Sequence, residues 1–412
     1  MGRLQATALY HDAPAQRVVV GEGAVGELAT DLARVPDGKV AILASPRAWD
    51  SPLGAAVADA VGRRRRVLWH DVPPHTPLAI AEEAARSWKD ADVRLLVAIG
   101  GGSASDLAKA VSMALATHGD LEEYFSRRAG GTVVDRKAEC PVAPIVAVPS
   151  TLSGAELTPG AGVTRDGIKH VLWDEALAAR SVLCETSAIN ELPAEVVQTT
   201  GMNAAAHCVE AVYSSRGNEF SDALAQRSLA LLVEGMLRSL LLKERNARVG
   251  YALWAGASLA GQALAAARVC LHHAVCHVLG ARYHVGHGEA NAAMLGWVAD
   301  FNRDASAEAQ DVLLSVVRRE ALRVAEVELS AATLGEAIRE VGRLIGGPTS
   351  LPDIGLATVD GDAVWDALRQ ERGLAFNPRP VEREDALELL RAAGATLVAD
   401  GPHESSRTKG ST

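Results

Sequence analysis

A dense cluster of histidines is the first feature of this sequence that could do chemistry. Five of its 12 histidines fall within 16 residues: His272, His273, His277, His284 and His287. His273 and His277 are four residues apart in a stretch with helical periodicity, so they share one face of a helix. His272 and His284 fall off that face and are expected to take no part. A single buried histidine is usually an ordinary core residue, but this density predicts a functional pocket.

A second candidate helix carries a matching pair of polar residues. Asn203 and His207 are also four residues apart, and Glu210 follows one turn later. Two helices that face each other could bring Asn203 and His207 together with His273 and His287. Imidazole nitrogen is a good ligand for zinc and ferrous iron. The pattern therefore predicts a site of imidazoles, which could work with or without a bound metal.

A glycine-rich turn offers a different kind of chemistry. Gly100–Ser103 joins a buried strand, Leu95–Ile99, to a helix that continues to about Ala116. Glycines let a phosphate approach the backbone closely, and the free N–H groups at a helix start attract anions. The spacing differs from the GxGxxG pattern of common dinucleotide-binding folds. A capping box between Ser103 and Asp106 would explain the same residues structurally, and both explanations can hold together.

A second polar turn strengthens the nucleotide hypothesis. Pro149–Thr158 follows the predicted strand Ile145–Val148 and offers several hydroxyl groups and Gly154. In doubly wound sheets, ligands bind at the carboxyl ends of the strands. Because this turn and Gly100–Ser103 both end strands of one predicted sheet, the pair predicts a dinucleotide site.

The elements that must position these turns alternate between strand and helix in the first part of the chain. Such alternation is typical of βαβ units, which build a parallel sheet covered by helices. Two extended segments near Gly162–Val171 predict a hairpin. The predicted strands are Val18–Val20, Val40–Ala44, Val67–His70, Leu95–Ile99 and Ile145–Val148. The predicted helices are one that ends at Leu32, Pro52–Gly62, Leu78–Trp88 and one that ends at about Ala116.

Past about Ile189 the periodicity is helical, and no strand is predicted there. We therefore expect an α/β dinucleotide-binding domain over residues 1–188, an all-helical catalytic domain over 189–400 and a disordered tail over 401–412. The uncharged stretch Ala252–Ala267 is too short for a membrane span and predicts a buried helix instead. The predicted helices are Ala194–Val212, Ser221–Leu242, Asn246–Ala267, Val269–Leu279, Glu289–Phe301, Ser306–Ala325, Thr333–Leu344, Asp362–Gln370 and Arg383–Ala393.

The composition excludes several classes of protein. The 412 residues carry a formal net charge of −10, which argues against nucleic acid as a partner. A hydrophobic content of 48% excludes disorder of the whole chain. Five cysteines, an odd number without a CxxC motif, indicate neither a disulfide framework nor a zinc ribbon. Because the start of the chain carries no apolar segment, we expect a cytoplasmic protein with no membrane partner.

The motifs extend into five longer segments: Gly100–Ala110, Pro149–Thr158, Gly201–Tyr213, His272–Ala292 and Asn377–Val381. Together these segments resemble the iron-containing (group III) alcohol dehydrogenase family, and within it most closely the maleylacetate reductases. The resemblance extends over most of the chain. It implies the dehydroquinate synthase-like fold of this family, with an N-terminal dinucleotide-binding domain, an all-helical C-terminal domain and a catalytic cleft between them.

The resemblance also implies roles for individual residues. Hydride would come from NADH or NADPH, and Fe²⁺ or Zn²⁺ could be held by His207, His273 and His287. Asn203 and His277 complete the implied catalytic set, with His277 beside the substrate. Homodimers are common in the family, so we expect one here. The implied cofactor-binding residues are Ser45, Gly101, Gly102, Ser103, Asp106, Ser150, Thr151, Ser153 and Lys169.

Several positions depart from the family pattern. Ser45 stands where alcohol dehydrogenases place an Asp that binds the adenosine ribose, and Arg47 is close by. Loss of that carboxylate removes repulsion of a 2′-phosphate, and an arginine could pair with it, so we predict that NADPH is accepted. Asn203 replaces an Asp ligand and should weaken iron binding, although three histidines can hold zinc. Maleylacetate reductases often have Lys at the place of Ala274 and a Tyr near Leu152, so a basic contact to a dianionic substrate is lost.

These features predict an NAD(P)H-dependent reductase that transfers hydride to an enone or a keto acid of small size. A metal-dependent alcohol or aldehyde dehydrogenase of the same family is the first alternative. A lyase similar to dehydroquinate synthase is the second, although only Arg268 and Arg282 flank the histidine cluster. The third is a non-catalytic binding protein on the same scaffold. Ring-cleavage catabolism and natural-product biosynthesis are both compatible with the sequence.

Overall fold

The computed structural model describes residues 15–398, apart from residues 36, 64–65, 74–75, 118–119, 130–131, 141 and 167. The tail predicted over 401–412 lies outside the described residues. The strands that the described residues form are β1 (Arg17–Gly21), β2 (Lys39–Ala44), β3 (Arg66–Trp69), β4 (Val93–Gly100), β5 (Arg127–Ala129), β6 (Thr132–Val134), β7 (Ile145–Pro149), β8 (Gly160–Arg165), β9 (Ile168–Trp173), β10 (Ser181–Glu185), β11 (Thr358–Asp360) and β12 (Thr396–Val398).

A parallel sheet of six strands, in the order β1-β10-β7-β4-β2-β3, forms the centre of the N-terminal half. The inner strands β2 and β7 are buried almost throughout, as expected for parallel strands covered on both faces. The predicted hairpin near Gly162–Val171 is the antiparallel pair β8–β9. The α/β fold class predicted from the alternation is therefore confirmed.

One strand of this sheet, β10, was not predicted. It has five residues and follows the hairpin β8–β9 instead of a helix, so the alternation of strand and helix does not indicate it. In the structure β10 lies between β1 and β7, with Val182, Leu183 and Cys184 buried. Its carboxyl end therefore reaches the same edge of the sheet as the ends of β4 and β7.

The second half of the chain is built from helices, and all nine helices predicted there are present. Helices α7 and α8 begin at asparagine caps, Asn218 and Asn246, which accept hydrogen bonds from the first turn. The helices of the described residues are α1 (Leu28–Ala33), α2 (Pro46–Trp49), α3 (Pro52–Val61), α4 (Leu78–Ser87), α5 (Gly102–Ala116), α6 (Ala194–Tyr213), α7 (Glu219–Met236), α8 (Ala247–Ala267), α9 (Leu271–Tyr283), α10 (His287–Phe301), α11 (Arg303–Ala325), α12 (Leu334–Leu344), α13 (Gly361–Leu368) and α14 (Arg383–Ala392).

The expectation that the helical half contains no strand is wrong. Strands β11 and β12 pair in parallel there. Each has only three residues, which is too short for an alternating pattern to be recognised. The sheet ends at Glu185 and helix α6 begins at Ala194. The division of the chain at residues 188 and 189 stays a prediction.

Helix α8 packs at the centre of the helical half, against α6 and α7, and most of its side chains are buried. Its Gly261 approaches the loop after β7 so closely that a Cβ there would lie 2.8 Å from the carbonyl oxygen of Gly154. Among the described residues, no single helix is long and apolar enough to cross a membrane. Helices α8 and α9 taken together have the required length and apolarity, but the pair is bent by 103°.

Candidate active site

The two polar turns meet because their strands are neighbours in the sheet. Gly100, the last residue of β4, pairs with Pro149, the last residue of β7, and the N–H of Ser150 donates to the Gly100 carbonyl at 2.8 Å. Gly100 has a φ of +148°, and a Cβ there would lie 2.9 Å from the Cβ of Ala104. Only glycine fits this position. Ser45 follows β2 at the same edge of the sheet.

Helix α5 starts inside the glycine turn and leaves its first turn without a side-chain cap. Its N-cap residue is Gly101, and the helix begins at Gly102. The predicted capping box of Ser103 and Asp106 is therefore wrong. Asp106 instead accepts a hydrogen bond from the N–H of Gly162 at 3.1 Å, and burial raises the pKa of its carboxyl group. The start of the helix can still bind an anion.

A cavity of about 750 Å³, which we call the catalytic cavity, opens at this edge of the sheet. The glycine turn and the loop after β7 line one side of it, and helices α6, α9 and α10 line the other. The structure brings 13 of the 14 predicted site residues to this one cavity. They are Ser45, Gly101, Gly102, Ser103, Asp106, Thr151, Ser153, Lys169, Asn203, His207, His273, His277 and His287.

The remaining predicted residue, Ser150, lines a second cavity of about 840 Å³ beside the first, which we call the adjoining cavity. Arg47 is exposed at its rim, where its Nη2 donates to the carbonyl of Glu191 at 3.1 Å. The two cavities share Ser45, Arg47, Gly101 and Thr151. An extended ligand could therefore occupy both cavities and cross the start of helix α5.

Four histidine rings form one group at the helical end of the catalytic cavity. The rings of His207 and His273 stack with their centroids 5.0 Å apart, and those of His277 and His287 stack at 5.7 Å. His273 connects the two pairs, since its centroid lies 6.1 Å from that of His287 and 6.4 Å from that of His277. Burial lowers the pKa of His207, His273 and His287 well below the ordinary value, so these rings are neutral at pH 7.

The ring of His273 is fixed by a buried carboxylate. Its Nδ1 donates to Oε2 of Glu210 at 2.6 Å, and its backbone N–H donates to Oε1 at 3.3 Å. This hydrogen bond selects the tautomer in which Nε2 carries the lone pair. That Nε2 is buried and has no hydrogen-bond partner among the described residues. A carboxylate that orients a histidine in this way is typical of metal sites.

Asn203 presents a second buried acceptor atom. Its Nδ2 donates to the carbonyl of Ser153 at 3.2 Å and lies 3.5 Å from Nε2 of His207. The Oδ1 of Asn203 and the Nδ1 of His207 are buried, and the described residues offer neither of them a partner. The amide oxygen is thus turned away from the loop after β7 and left available.

His277 and His287 are partly exposed, whereas the other two rings of the group are buried, and His277 has a carboxylate partner of its own. Its side chain is 16% exposed, and its Nδ1 donates to Oε2 of Glu371 at 3.3 Å. Burial and the charge of Lys169 lower the pKa of His277, while Glu371 raises it. The ring therefore combines contact with the cavity and a carboxylate that can stabilise its protonated form.

These residues fit a divalent metal by the chemistry of their donor atoms. Neutral imidazoles are the form that binds iron or zinc, and the free Nε2 of His273 and Oδ1 of Asn203 would each gain a partner. Among the described residues, the ligand atoms that lie within 4.8 Å of one another belong to Glu210, His272 and His273 rather than to His207, His273 and His287. In that group His272 contacts the Asn291 carbonyl at 3.1 Å and His273 binds Glu210, which leaves Nε2 of His273 unpaired.

The two histidines expected to take no part lie outside the lining of the catalytic cavity. His272 is fully buried behind His273, and burial lowers its pKa to about 4. His284 is exposed and ends helix α9 in the left-handed region, with a φ of +57°.

Several residues of this region were missed because their sequence context gives little or no sign of them. Arg372 and Trp173 line the catalytic cavity from segments far from the histidine motifs. Lys109 is fully buried, and its Nζ donates to the carbonyls of Ala155 at 2.6 Å and Gly160 at 2.8 Å. Lys109 follows Asp106 by three residues in α5, so its position on the inner face of that helix was the only available signal.

Two models of one protein family match this chain and together cover most of it. Residues 15–186 match the iron-containing alcohol dehydrogenase model, and residues 197–394 match the model of the C-terminal region of the iron-containing alcohol dehydrogenase family. The chain belongs to the iron-containing alcohol dehydrogenase family, as the resemblance predicted. It is therefore an oxidoreductase of a family that uses NAD(P) and a divalent metal and acts on small molecules.

Individual relatives agree with this assignment. The chain is 32% identical to maleylacetate reductase 2 of Cupriavidus pinatubonensis over 92% of this chain and 94% of that protein. It is 30% identical to the maleylacetate reductase of Pseudomonas knackmussii over 93% of this chain and 97% of that protein. The crystal structure of an iron-containing alcohol dehydrogenase from Corynebacterium glutamicum superposes with a TM-score of 0.73 at 26% identity, covering 94% of this chain and 97% of the other.

Proposed function

We propose that this protein is an NAD(P)H-dependent reductase that transfers a hydride to an enone or a keto acid. The name of the maleylacetate reductases describes a reaction of this kind. One observation carries the proposal: four histidines and Asn203 line the same cavity as the uncapped start of helix α5. A nucleotide phosphate bound at that helix start would direct the nicotinamide towards the imidazoles. Similarity to named maleylacetate reductases at about 30% identity supports the substrate class.

In this proposal the chain's own residues bind the nucleotide and manage charge. The N–H groups at Gly102 and Ser103 hold the pyrophosphate, and Asp106, Thr151, Ser153 and Lys169 surround the rest of the ligand in the catalytic cavity. Ser150 and Ser45 contact its adenosine side. When bound, a reduced nicotinamide would supply the hydride. His207, His273 and His287 could in addition hold a divalent metal, which would polarise the substrate oxygen, but the reduction of an enone does not depend on it.

Proton transfer is assigned to His277. Hydride addition to an enone leaves negative charge on the carbonyl oxygen, which needs a hydrogen-bond donor and then a proton. His277 contacts the cavity and is held by Glu371 at 3.3 Å, so a proton on this ring has a carboxylate behind it. The buried neutral rings of His207 and His273 keep water and charge away from the substrate oxygen. A hydrogen bond from His277 to that oxygen is stronger in such surroundings.

A metal-dependent alcohol or aldehyde dehydrogenase is the second candidate. The observation that favours it is the pair of buried atoms without partners, Nε2 of His273 and Oδ1 of Asn203. A metal at these atoms would suit a simple aldehyde, whose oxygen needs a Lewis acid more than the extended system of an enone does.

A screen of substrates with each nucleotide separates the two candidates. Oxidation of NADPH and NADH is followed at 340 nm with enones, keto acids and aldehydes, using protein as purified and protein treated with a chelator. Reduction of enone or keto acids that survives metal removal supports the first proposal. Activity restricted to aldehydes and alcohols, lost with the metal, supports the second and overturns the first.

We also propose a cytoplasmic homodimer, which is the assembly expected from the resemblance. All five cysteines are free and four of them are buried, as suits a reducing compartment. Light scattering of the purified protein tests the dimer, and a monomeric mass would overturn it.

A further inference from the structure

Two arginines converge on one tryptophan at the wall of the catalytic cavity. The guanidinium of Arg268 lies over the ring of Trp173 at 3.5 Å from its centroid, and that of Arg372 lies 5.3 Å from the same centroid. All three side chains line the catalytic cavity together with His277. The two guanidinium groups therefore lie side by side at the wall of the catalytic cavity, although the two arginines are about 100 residues apart in sequence.

A single carboxylate, Asp135, serves both arginines. Its Oδ2 lies 3.6 Å from Nη2 of Arg268, and its Oδ1 accepts from Ser126 at 2.6 Å. Arg372 reaches it only through Ser126, to whose Oγ its Nη1 donates at 3.4 Å. The Nη1 of Arg268 is buried and finds no hydrogen-bond partner among the described residues.

Two carboxylates besides Asp135 act on the pair, and each has a second partner. Glu371 acts on Arg372 and is also hydrogen-bonded to His277, and Glu175 acts on Arg268 and is paired with Lys137 at 2.6 Å. Two further cations act on the same region: Arg216, whose charge opposes that of Arg268, and Lys169, which lines the same cavity. Burial lowers the pKa of Arg372 to about 10, with the charge of Arg268 adding to the effect, and burial also lowers the pKa of Arg268.

The backbone of Arg268 adds an independent observation. Its φ is +69° and its ψ is 157°, a region that residues other than glycine rarely occupy. Strain of this kind persists where the surrounding structure requires a particular side chain, and it is frequent at ligand sites. Here it ends helix α8 and directs the guanidinium onto Trp173 at the cavity wall.

We propose that Arg268 and Arg372 form a carboxylate-binding subsite of the catalytic cavity, which selects substrates that carry a negative charge close to the carbonyl group. Two planar guanidinium groups suit a carboxylate, which can accept two hydrogen bonds from each. Arg372 directly follows Glu371, the partner of His277, so the bound carboxylate lies near the proposed proton donor. The inference deepens the proposed function and rests on it for the identity of the reaction.

A matched pair of substrates tests the subsite. Trans-4-oxo-2-pentenoate and its methyl ester present the same enone with and without a negative charge. The protein is expected to reduce the acid with a kcat/KM at least about 30-fold above that of the ester, the size of effect that a desolvated ion pair gives. In Arg372→Gln and in Arg268→Gln this ratio should collapse to near one. In Arg268→Lys, which keeps the charge but loses the planar fork, part of the ratio should remain.

The control variant is Arg248→Gln, an arginine of the same helix α8 whose side chain is 60% exposed and paired with Glu234. It should keep the acid-to-ester ratio of the original protein. Circular dichroism and the dissociation constant for NADPH are measured for every variant, because a subsite for substrate should leave nucleotide affinity in place. Equal losses on acid and ester, or a loss of NADPH affinity in Arg372→Gln, would overturn the proposal.

A binding measurement keeps this test separate from that of the proposed function. If the protein reduces neither compound, the proposed function fails, and succinate is then titrated into the NADPH-loaded protein by calorimetry. Binding of succinate that weakens about 30-fold in Arg372→Gln, but not in Arg248→Gln, would still support the subsite. Absence of succinate binding would overturn it.

Discussion

Glu210 accepts two hydrogen bonds from His273, one from the backbone N–H at 3.3 Å and one from Nδ1 of the ring at 2.6 Å. Both side chains are buried, so the ring is held in one tautomer and in one orientation. The unpaired Nε2 is the consequence of this arrangement. Any role of His273 as a ligand or as a hydrogen-bond acceptor depends on Glu210.

Glu210→Gln should therefore weaken metal binding. The amide keeps the volume but loses the charge that orients the ring, and such changes reduce affinity about 10- to 100-fold. Competition with a chelating dye gives the dissociation constant for Zn²⁺ without any reliance on activity. Glu320→Gln, a buried glutamate paired with Arg323 away from the cavity, is the control. Equal affinities in the two variants would contradict the prediction.

His277→Ala should lower turnover while nucleotide binding survives. Loss of a positioned proton donor reduces rates about 10²- to 10⁴-fold. Kinetics with the best substrate of the screen give kcat, and quenching of protein fluorescence gives the dissociation constant for NADPH. His284→Ala, at the exposed end of helix α9, is the matched control. Unchanged turnover in His277→Ala would remove this residue from the mechanism.

Ser45→Asp should turn the nucleotide preference towards NADH. Ser45 lies where the two cavities join, and an added carboxylate would repel a 2′-phosphate. We expect the original protein to accept NADPH, and the kcat/KM for NADPH relative to NADH to fall about tenfold or more in the variant. Ser45→Ala separates charge from the loss of the hydroxyl and should change the ratio little. A ratio that falls equally in both variants would exclude charge repulsion as the cause.

Glu156 should make stability depend on pH in a defined window. Burial raises its pKa from 4.5 to about 7, so the folded chain holds this proton more tightly than the unfolded chain. The stabilising contribution is fully present below about pH 4.5 and is lost as the pH rises to about 7. The shift corresponds to about 2–4 kcal/mol for this 4% exposed residue.

Glu156→Gln lacks that proton equilibrium, so it should gain stability relative to the original protein as the pH rises. Urea unfolding at pH 4.5 and pH 8 gives both free energies of unfolding, and their difference should grow by about 2–4 kcal/mol. Glu139→Gln, at a side chain that is 79% exposed, serves as the control. A difference that stays constant between the two pH values would contradict the assignment.

The sequence allowed prediction of features that local patterns encode. The periodicity of apolar residues indicated the helices of the second half, and the three glycines from Gly100 indicated a turn at a strand end. Helical spacing paired Asn203 with His207 and His273 with His277. Each of these predictions depends on residues that are close in sequence. At such short separations, the geometry of a helix or strand alone determines which side chains lie on the same face.

Features that depend on contacts distant in sequence were not predictable in this way. Strand β10 belongs to the sheet because of its neighbours β1 and β7, and its own five residues show no strong pattern. Arg372 reaches the cavity from a segment about 85 residues beyond His287, the end of the histidine cluster. Ser103 was assigned a capping role because its spacing to Asp106 is right, but Gly102 already begins the helix.

Gly154 and Gly261 form a close backbone contact between the two halves of the molecule. Because neither position carries a side chain, the loop after β7 and helix α8 can approach each other through their backbones. Alanine at Gly261 is therefore expected to push the loop after β7 away from helix α8, and with it Thr151 and Ser153, which line the catalytic cavity.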